Sequence, residues 1–284
     1  MLNRKDGTQR TVLSIPDEEK NERQGVKSMQ ENRVRHGGLP SVQAILFDKD
    51  GTLLDFTHMW GFWTDCVLHD FREQLSTRGL SLDEDELSQI WGTFHDEQGR
   101  MNGYDIRGPL AMGTMEEVYA VLTWHGYRAG LSWAEAKMIV RACLAQAEEA
   151  MEVHRPALPL PGVREYLEQS RRKGLKMGVV TADETANAVK HLQWMGLNAY
   201  FDVVIGTDLV DRGKPFPDMV LLACERLGVQ TQQVVVIGDT DGDMEMARAA
   251  GAGYRIGIGA PGSIHLADRT IEGFHELLPG GLGR

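Results

Sequence analysis

The chain has 284 residues, 42% of them hydrophobic and 25% charged, with a formal net charge of −11. That length buries a sizeable core and suits two structural units. The acidic balance argues against a broad nucleic-acid or anionic-membrane surface, which would need an excess of Lys and Arg, and no apolar run approaches the roughly 18 residues of a membrane span.

Residues 1–39 are polar, carry charges of both signs and hold no Phe, Tyr or Trp. Such a segment buries too little apolar surface to offset its ordering entropy, so a mobile tail dispensable for chemistry is expected. Docking on another subunit, or a natural start at Met29, are the alternatives. The N-terminus lacks the apolar stretch of a secretory signal, and its acids speak against a mitochondrial presequence. Cys66, Cys143 and Cys224 are scattered, with neither metal-ligand spacing nor an even disulfide set. A reducing, cytoplasmic setting fits them.

From Ser41 the character changes. The run Val42–Phe47 predicts a buried strand, and LKMGVVT (175–181), FDVVIGT (201–207), QVVVIGD (233–239) and GYRIGIG (253–259) predict four more. Between them lie helical patterns that stop at Gly174, Gly196, Gly228 and Gly251. Strand alternating with helix predicts a doubly wound, Rossmann-like parallel sheet with helices on both faces. Residues 58–156 interrupt that alternation: they show amphipathic helices, two apparent capping boxes (Ser81 to Glu84 and Ser132 to Glu135) and no convincing strand. On the second of these helices Ala136, Ile139, Val140, Cys143 and Ala147 share one stripe. The division is therefore a core of 40–57 plus 157–284, with an inserted all-helical cap at 58–156.

In open parallel sheets ligands bind beyond the carboxyl ends of the strands. The first strand ends in Asp48 and Asp50, the second in Thr181 with Asp183 behind it, and GKPFPD, after the third, carries Lys214. The VVVIGDTDGD strand ends in Asp239, with Asp241 and Asp243 following. Carboxylates gathered on one edge repel unless a hard cation neutralises them, and Mg²⁺ takes one or two carboxylates plus water and phosphate oxygens. A carboxylate can attack phosphorus and split one hard displacement into two. A second acid two residues on can protonate the leaving oxygen and then activate water, while a hydroxyl and an ammonium hold the phosphoryl oxygens.

FDKDGTLLD, the strand-terminal Thr181, KPFPD and GDTDGD, in that order, resemble the four motifs of the haloacid dehalogenase-like (HAD) superfamily of phosphohydrolases. The resemblance covers roughly residues 42–275, and the insert is similar to the small cap of its phosphoglycolate phosphatase and β-phosphoglucomutase subgroup. It implies Asp48 as nucleophile, Asp50 as general acid/base, Thr181 as phosphoryl ligand, and Lys214 as the cation steadying both Asp48 and the phosphoryl group. It further implies Mg²⁺ held by Asp48, the Asp50 backbone carbonyl and Asp239, with Asp243 supporting from behind. Asp241 falls where the family varies, and the role of Asp183 is open. An acid at Asp50 favours phosphoryl transfer over dehalogenation, since halide departure needs no proton. Lys137, the sole lysine of the cap, reads as a solvated residue rather than an imine-forming one.

Taken alone, the two first-strand aspartates would suit a solvated turn, and Lys214 a surface position; their company gives them weight. GDTDGD is no calcium loop, because the twelfth position is Ala250 instead of glutamate. The aromatic run Phe56–Asp65 reads as helix packing in preference to pocket lining. Arg107 reads as an exposed structural arginine, and none of the nine histidines has ligand spacing. The expected function is hydrolysis of a small phosphorylated metabolite with Mg²⁺. A phosphomutase on the same scaffold is the alternative, and a non-catalytic phosphate-binding or signalling protein a more distant one.

Overall fold

The computed structural model describes residues 42–82 and 90–279. Residues 1–39, expected as a tail, and Glu84 of the first expected capping box lie outside them. The described residues fall in one compact unit.

Six strands build one all-parallel sheet: β1 (Ala44–Phe47), β4 (Lys176–Val180), β5 (Val203–Ile205), β6 (Val234–Gly238), β7 (Tyr254–Ile258) and β8 (Arg269–Ile271), in the spatial order β5-β4-β1-β6-β7-β8. From β1 the chain winds outward on one side through β4 and β5, then on the other through β6, β7 and β8. β1 therefore sits at the reversal point, where such sheets open a crevice at their carboxyl edge. β8 extends the sheet beyond the five predicted strands, and its three residues are too few for a period-2 pattern to register.

Alternation along β1 feeds two cores. Ala44 and Leu46 pack with Met219 and Val220 of one helix (Asp218–Leu227) and Met246 and Ala247 of another (Asp241–Ala249). Ile45 and Phe47 face the other way, towards Val163 and Leu167 of the helix Val163–Arg172 and Leu192 of the helix Thr185–Trp194. Phe47 is fully buried, its ring centroid 5.9 Å from that of Phe201 and 6.2 Å from that of Tyr166. Helices thus cover both faces of the sheet, as the strand-helix alternation predicts.

Between β1 and β4 stands the helical cap. In chain order its described helices are α1 (Phe56–Ser76), α2 (Pro109–Met112), α3 (Met115–Arg128) and α4 (Trp133–His154), and the four core helices above follow as α5 to α8. α1, α3 and α4 pack through Val67, Phe71, Val118, Leu122, Val140 and Cys143. The predicted α4 stripe is buried throughout, and Ser132 and Glu135 form a reciprocal capping box. The cap is not wholly helical, however: β2 (Thr93–His95) and β3 (Met101–Tyr104) form an antiparallel hairpin. Three- and four-residue strands are too short for alternation to show. Their turn is closed by Asp96, which accepts from the backbone N–H groups of Gln98 and Arg100, instead of by an Asn-Gly pair.

Candidate active site

The loop after β1 folds tightly back on itself. The N–H groups of Leu53 and Leu54 both donate to the Lys49 carbonyl at 2.9 Å, and that of Gly51 to the Leu54 carbonyl at 2.9 Å. Gly51 turns with φ +77°, and a Cβ there would stand 2.2 Å from Asp239 Oδ2. Only glycine allows the two chain segments to approach so closely.

Register sets the neighbours. Phe47 pairs with Val179 on one side and Ile237 on the other. Thr181 and Asp239, two residues beyond these partners, therefore follow the strands that flank Asp48, whose N–H donates to the Ile237 carbonyl at 2.8 Å. Asp239 accepts a hydrogen bond from the Thr52 hydroxyl at 3.1 Å. Asp243 sits in the first turn of α8 and closes a capping box: its Oδ2 accepts from the Thr240 hydroxyl at 2.6 Å and the Thr240 N–H at 3.1 Å. Its other oxygen lies 2.6 Å from Lys214 Nζ. A Cβ on Gly238 would lie 2.5 Å from that of Asp243, so glycine is required there too.

Lys214 also pairs with Asp48. Asp48, Asp239 and Asp243 offer oxygens within 4.8 Å of one another, and all three are largely withdrawn from water. Burial raises the Asp48 carboxyl to about 6; the charges of Asp243 and Asp50 add to the rise, and Lys214 opposes it. Burial and the neighbouring Asp48 raise Asp239 well above the usual carboxylate range. For Lys214 burial opposes the charge, but Asp243 and Asp48 outweigh it and raise its pKa. Three crowded carboxylates sharing one ammonium leave negative charge uncompensated, and an all-oxygen donor set suits a hard divalent cation.

The Asp50 side chain does not join this group. Its Oδ1 accepts from the Trp60 indole N–H at 2.8 Å, and its Oδ2 lies 2.5 Å from Lys49 Nζ. The Thr181 hydroxyl is buried at the same edge and accepts from the Asp183 N–H at 3.2 Å. Asp183 lies 3.4 Å from Lys49. Burial opposes its charge, yet His191 and Lys49 hold its pKa below the ordinary value. Burial likewise opposes the charge of Lys49, and Asp50 and Asp183 outweigh it, so its pKa is raised.

The structure therefore brings Asp48, Lys214, Asp239 and Asp243 into mutual contact, sets Thr181 on the adjoining strand, and gives Asp50 partners of its own. The sequence alone does not single out Lys49, His191 or Tyr104. The available signal for Lys49 was a lysine enclosed by two aspartates at the end of an apolar strand. Tyr104 ends β3 and stacks on Phe56 with centroids 4.0 Å apart. Burial raises its phenol pKa, as do the charges of Asp239, Asp50 and Asp48. In the aromatic run, Phe56 and Trp63 are buried in packing as expected, but Trp60 reaches Asp50. The Arg107 side chain is 87% exposed, as expected.

The haloacid dehalogenase-like hydrolase family profile matches residues 42–251. Phosphoglycolate phosphatase of Escherichia coli (strain K12) is 36% identical over 124 residues, which cover 42% of this chain and 49% of that protein. Phosphorylated carbohydrates phosphatase of Thermotoga maritima is 41% identical over 91 residues, covering 32% of this chain and 42% of that protein. The chain spans about half the length of the curated relatives it matches. Among solved structures, β-phosphoglucomutase from Clostridium difficile superposes with a TM-score of 0.54 at 17% identity, covering 85% of this chain and 95% of that one.

Proposed function

The chain belongs to the haloacid dehalogenase-like hydrolase family, and on that premise we propose that it is a Mg²⁺-dependent phosphatase of a small phosphorylated metabolite. The observation that carries this reading is the group at the carboxyl edge: Asp48 paired with Lys214, beside Asp239 and Asp243, with a second acid, Asp50, two residues away. Asp48, Asp239 and the Asp50 backbone carbonyl would hold Mg²⁺, with Asp243 supporting them. The ion supplies neutralisation of the crowded carboxylates and of the phosphoryl oxygens.

In the first step an Asp48 oxygen bonds to phosphorus as the ester oxygen departs, taking a proton from Asp50. Thr181 and Lys214 hold the phosphoryl oxygens during transfer. In the second step Asp50 removes a proton from water, whose oxygen attacks the aspartyl-phosphate and frees phosphate and Asp48. The intact Asp48/Asp50 pair supports catalysis over mere binding. Within this reading residues 40–57 and 157–284 are the catalytic core, 58–156 the cap and 1–39 a dispensable extension. Among the described residues no helix is long and apolar enough to cross a membrane. The net charge of −11 supports a small-molecule substrate over nucleic acid, and the scattered cysteines support a cytoplasmic setting.

The test is a phosphate-release screen across phosphorylated metabolites with Mg²⁺, run beside Asp48→Asn. Release without a bisphosphate activator establishes hydrolysis, whereas transfer only in its presence replaces it with a mutase. No turnover of any ester overturns the reading.

A further inference from the structure

Asp48 and Asp50 are two residues apart, yet each has its own buried cation. Lys214 serves Asp48 and Asp243, and Lys49 serves Asp50 and Asp183. Lys49 is fully buried, and an ammonium withdrawn from water is sustained only by close partners. Asp50 Oδ2 lies 2.5 Å from its Nζ, His191 Nδ1 at 3.3 Å and Asp183 Oδ2 at 3.4 Å. His191 and Asp183 are themselves 3.5 Å apart, which closes the group.

We propose that Lys49 is a positioning residue for Asp50, acting with Trp60 to fix the carboxyl that the leaving group meets. Both Asp50 oxygens are engaged, Oδ2 by Lys49 and Oδ1 by the Trp60 indole. One contact comes from the sheet's own loop and the other from the first helix of the cap, so the carboxyl is held from two sides. Asp183 precedes α6 and His191 lies within it, and they anchor Lys49 so that its ammonium stays at Asp50 instead of swinging towards Asp48. Misplacing a proton donor costs rate only where a proton is needed.

This role rests on the phosphatase reading, and the experiment separates the two. Single-turnover cleavage with Mg²⁺ and excess enzyme is measured for 4-nitrophenyl phosphate, whose phenolate departs unaided, and for benzyl phosphate, whose alkoxide leaves only with a proton. The variants are Lys49→Met and Trp60→Phe. Each is expected to slow benzyl phosphate cleavage about 10-fold or more while changing the nitrophenyl rate no more than about 3-fold. Equal losses on both esters, or no loss on benzyl phosphate, overturn the positioning role. Failure of the unaltered protein to cleave these esters and every phosphorylated metabolite of the screen overturns the phosphatase reading itself. Should Lys49→Met show no cooperative unfolding transition, Trp60→Phe and Asp183→Asn decide by the same ratio.

Discussion

Lys214 Nζ lies 2.6 Å from Asp243 Oδ1 while also pairing with Asp48, so one ammonium joins the residue after β1 to the first turn of α8. Removing it leaves two buried carboxylates facing each other and, in the proposed mechanism, strips a donor from the phosphoryl oxygens. Lys214→Met is expected to lower phosphate release by roughly 10²–10³-fold. Steady-state release under saturating Mg²⁺ checks this, and near-normal turnover contradicts it.

The proposed metal dependence has a signature that needs no substrate. Burial and the charge of Asp48 raise the Asp239 carboxyl, so its ionised form destabilises the metal-free fold. In excess chelator, Asp239→Asn is expected to unfold at a higher temperature than the unaltered protein. Adding Mg²⁺ at 100 times its dissociation constant should stabilise the unaltered protein by about 2.7 kcal/mol, and the variant by much less. Thermal unfolding with and without Mg²⁺ reads both effects.

The pH dependence of the metal-free protein follows from Asp48. Burial lifts its carboxyl from an ordinary 3.8 to about 6, helped by the charges of Asp243 and Asp50. Between those values the folded protein keeps a proton that the unfolded chain has released. The contribution is thus fully present below 3.8 and lost as pH rises through about 6. At about 1.4 kcal/mol per unit, the loss from this group is on the order of 2–3 kcal/mol. Denaturant unfolding in chelator from pH 4 to 7 is expected to show it, with a flatter profile for Asp48→Asn. A profile that rises over this range contradicts the assignment.

Gly51→Ala tests the close approach at the acidic edge. The substituted Cβ would meet Asp239 Oδ2 at 2.2 Å, on a backbone with φ +77°. A destabilisation of about 1–3 kcal/mol is expected, together with a weaker Mg²⁺ response, as the Asp239 carboxylate is pushed aside. Denaturant unfolding and Mg²⁺ titration measure the two consequences independently.

The parallel sheet was readable because β1, β4 and β6 are buried on both faces and write near-continuous apolar runs that end abruptly in Asp48, Thr181 and Asp239. Chain order then placed those endings on one edge. The hairpin of the cap was not readable, since Thr93–His95 and Met101–Tyr104 carry no periodic signal and pair through turn geometry. Lys49 was hidden for a different reason. Its partners Asp183 and His191 are more than 130 residues away in sequence, and only the fold shows that they meet. Trp60 was visible as an aromatic, but its indole N–H reaches Asp50 because α1 starts directly after the loop that follows β1, at Phe56.

The most direct measurement is mass analysis of protein quenched during turnover of 4-nitrophenyl phosphate with Mg²⁺. One phosphoryl group is expected on the peptide that contains Asp48, and neither that adduct nor phosphate release from a folded Asp48→Asn variant. Undiminished release by that variant, or a phosphoryl group found on another residue, would contradict the mechanism.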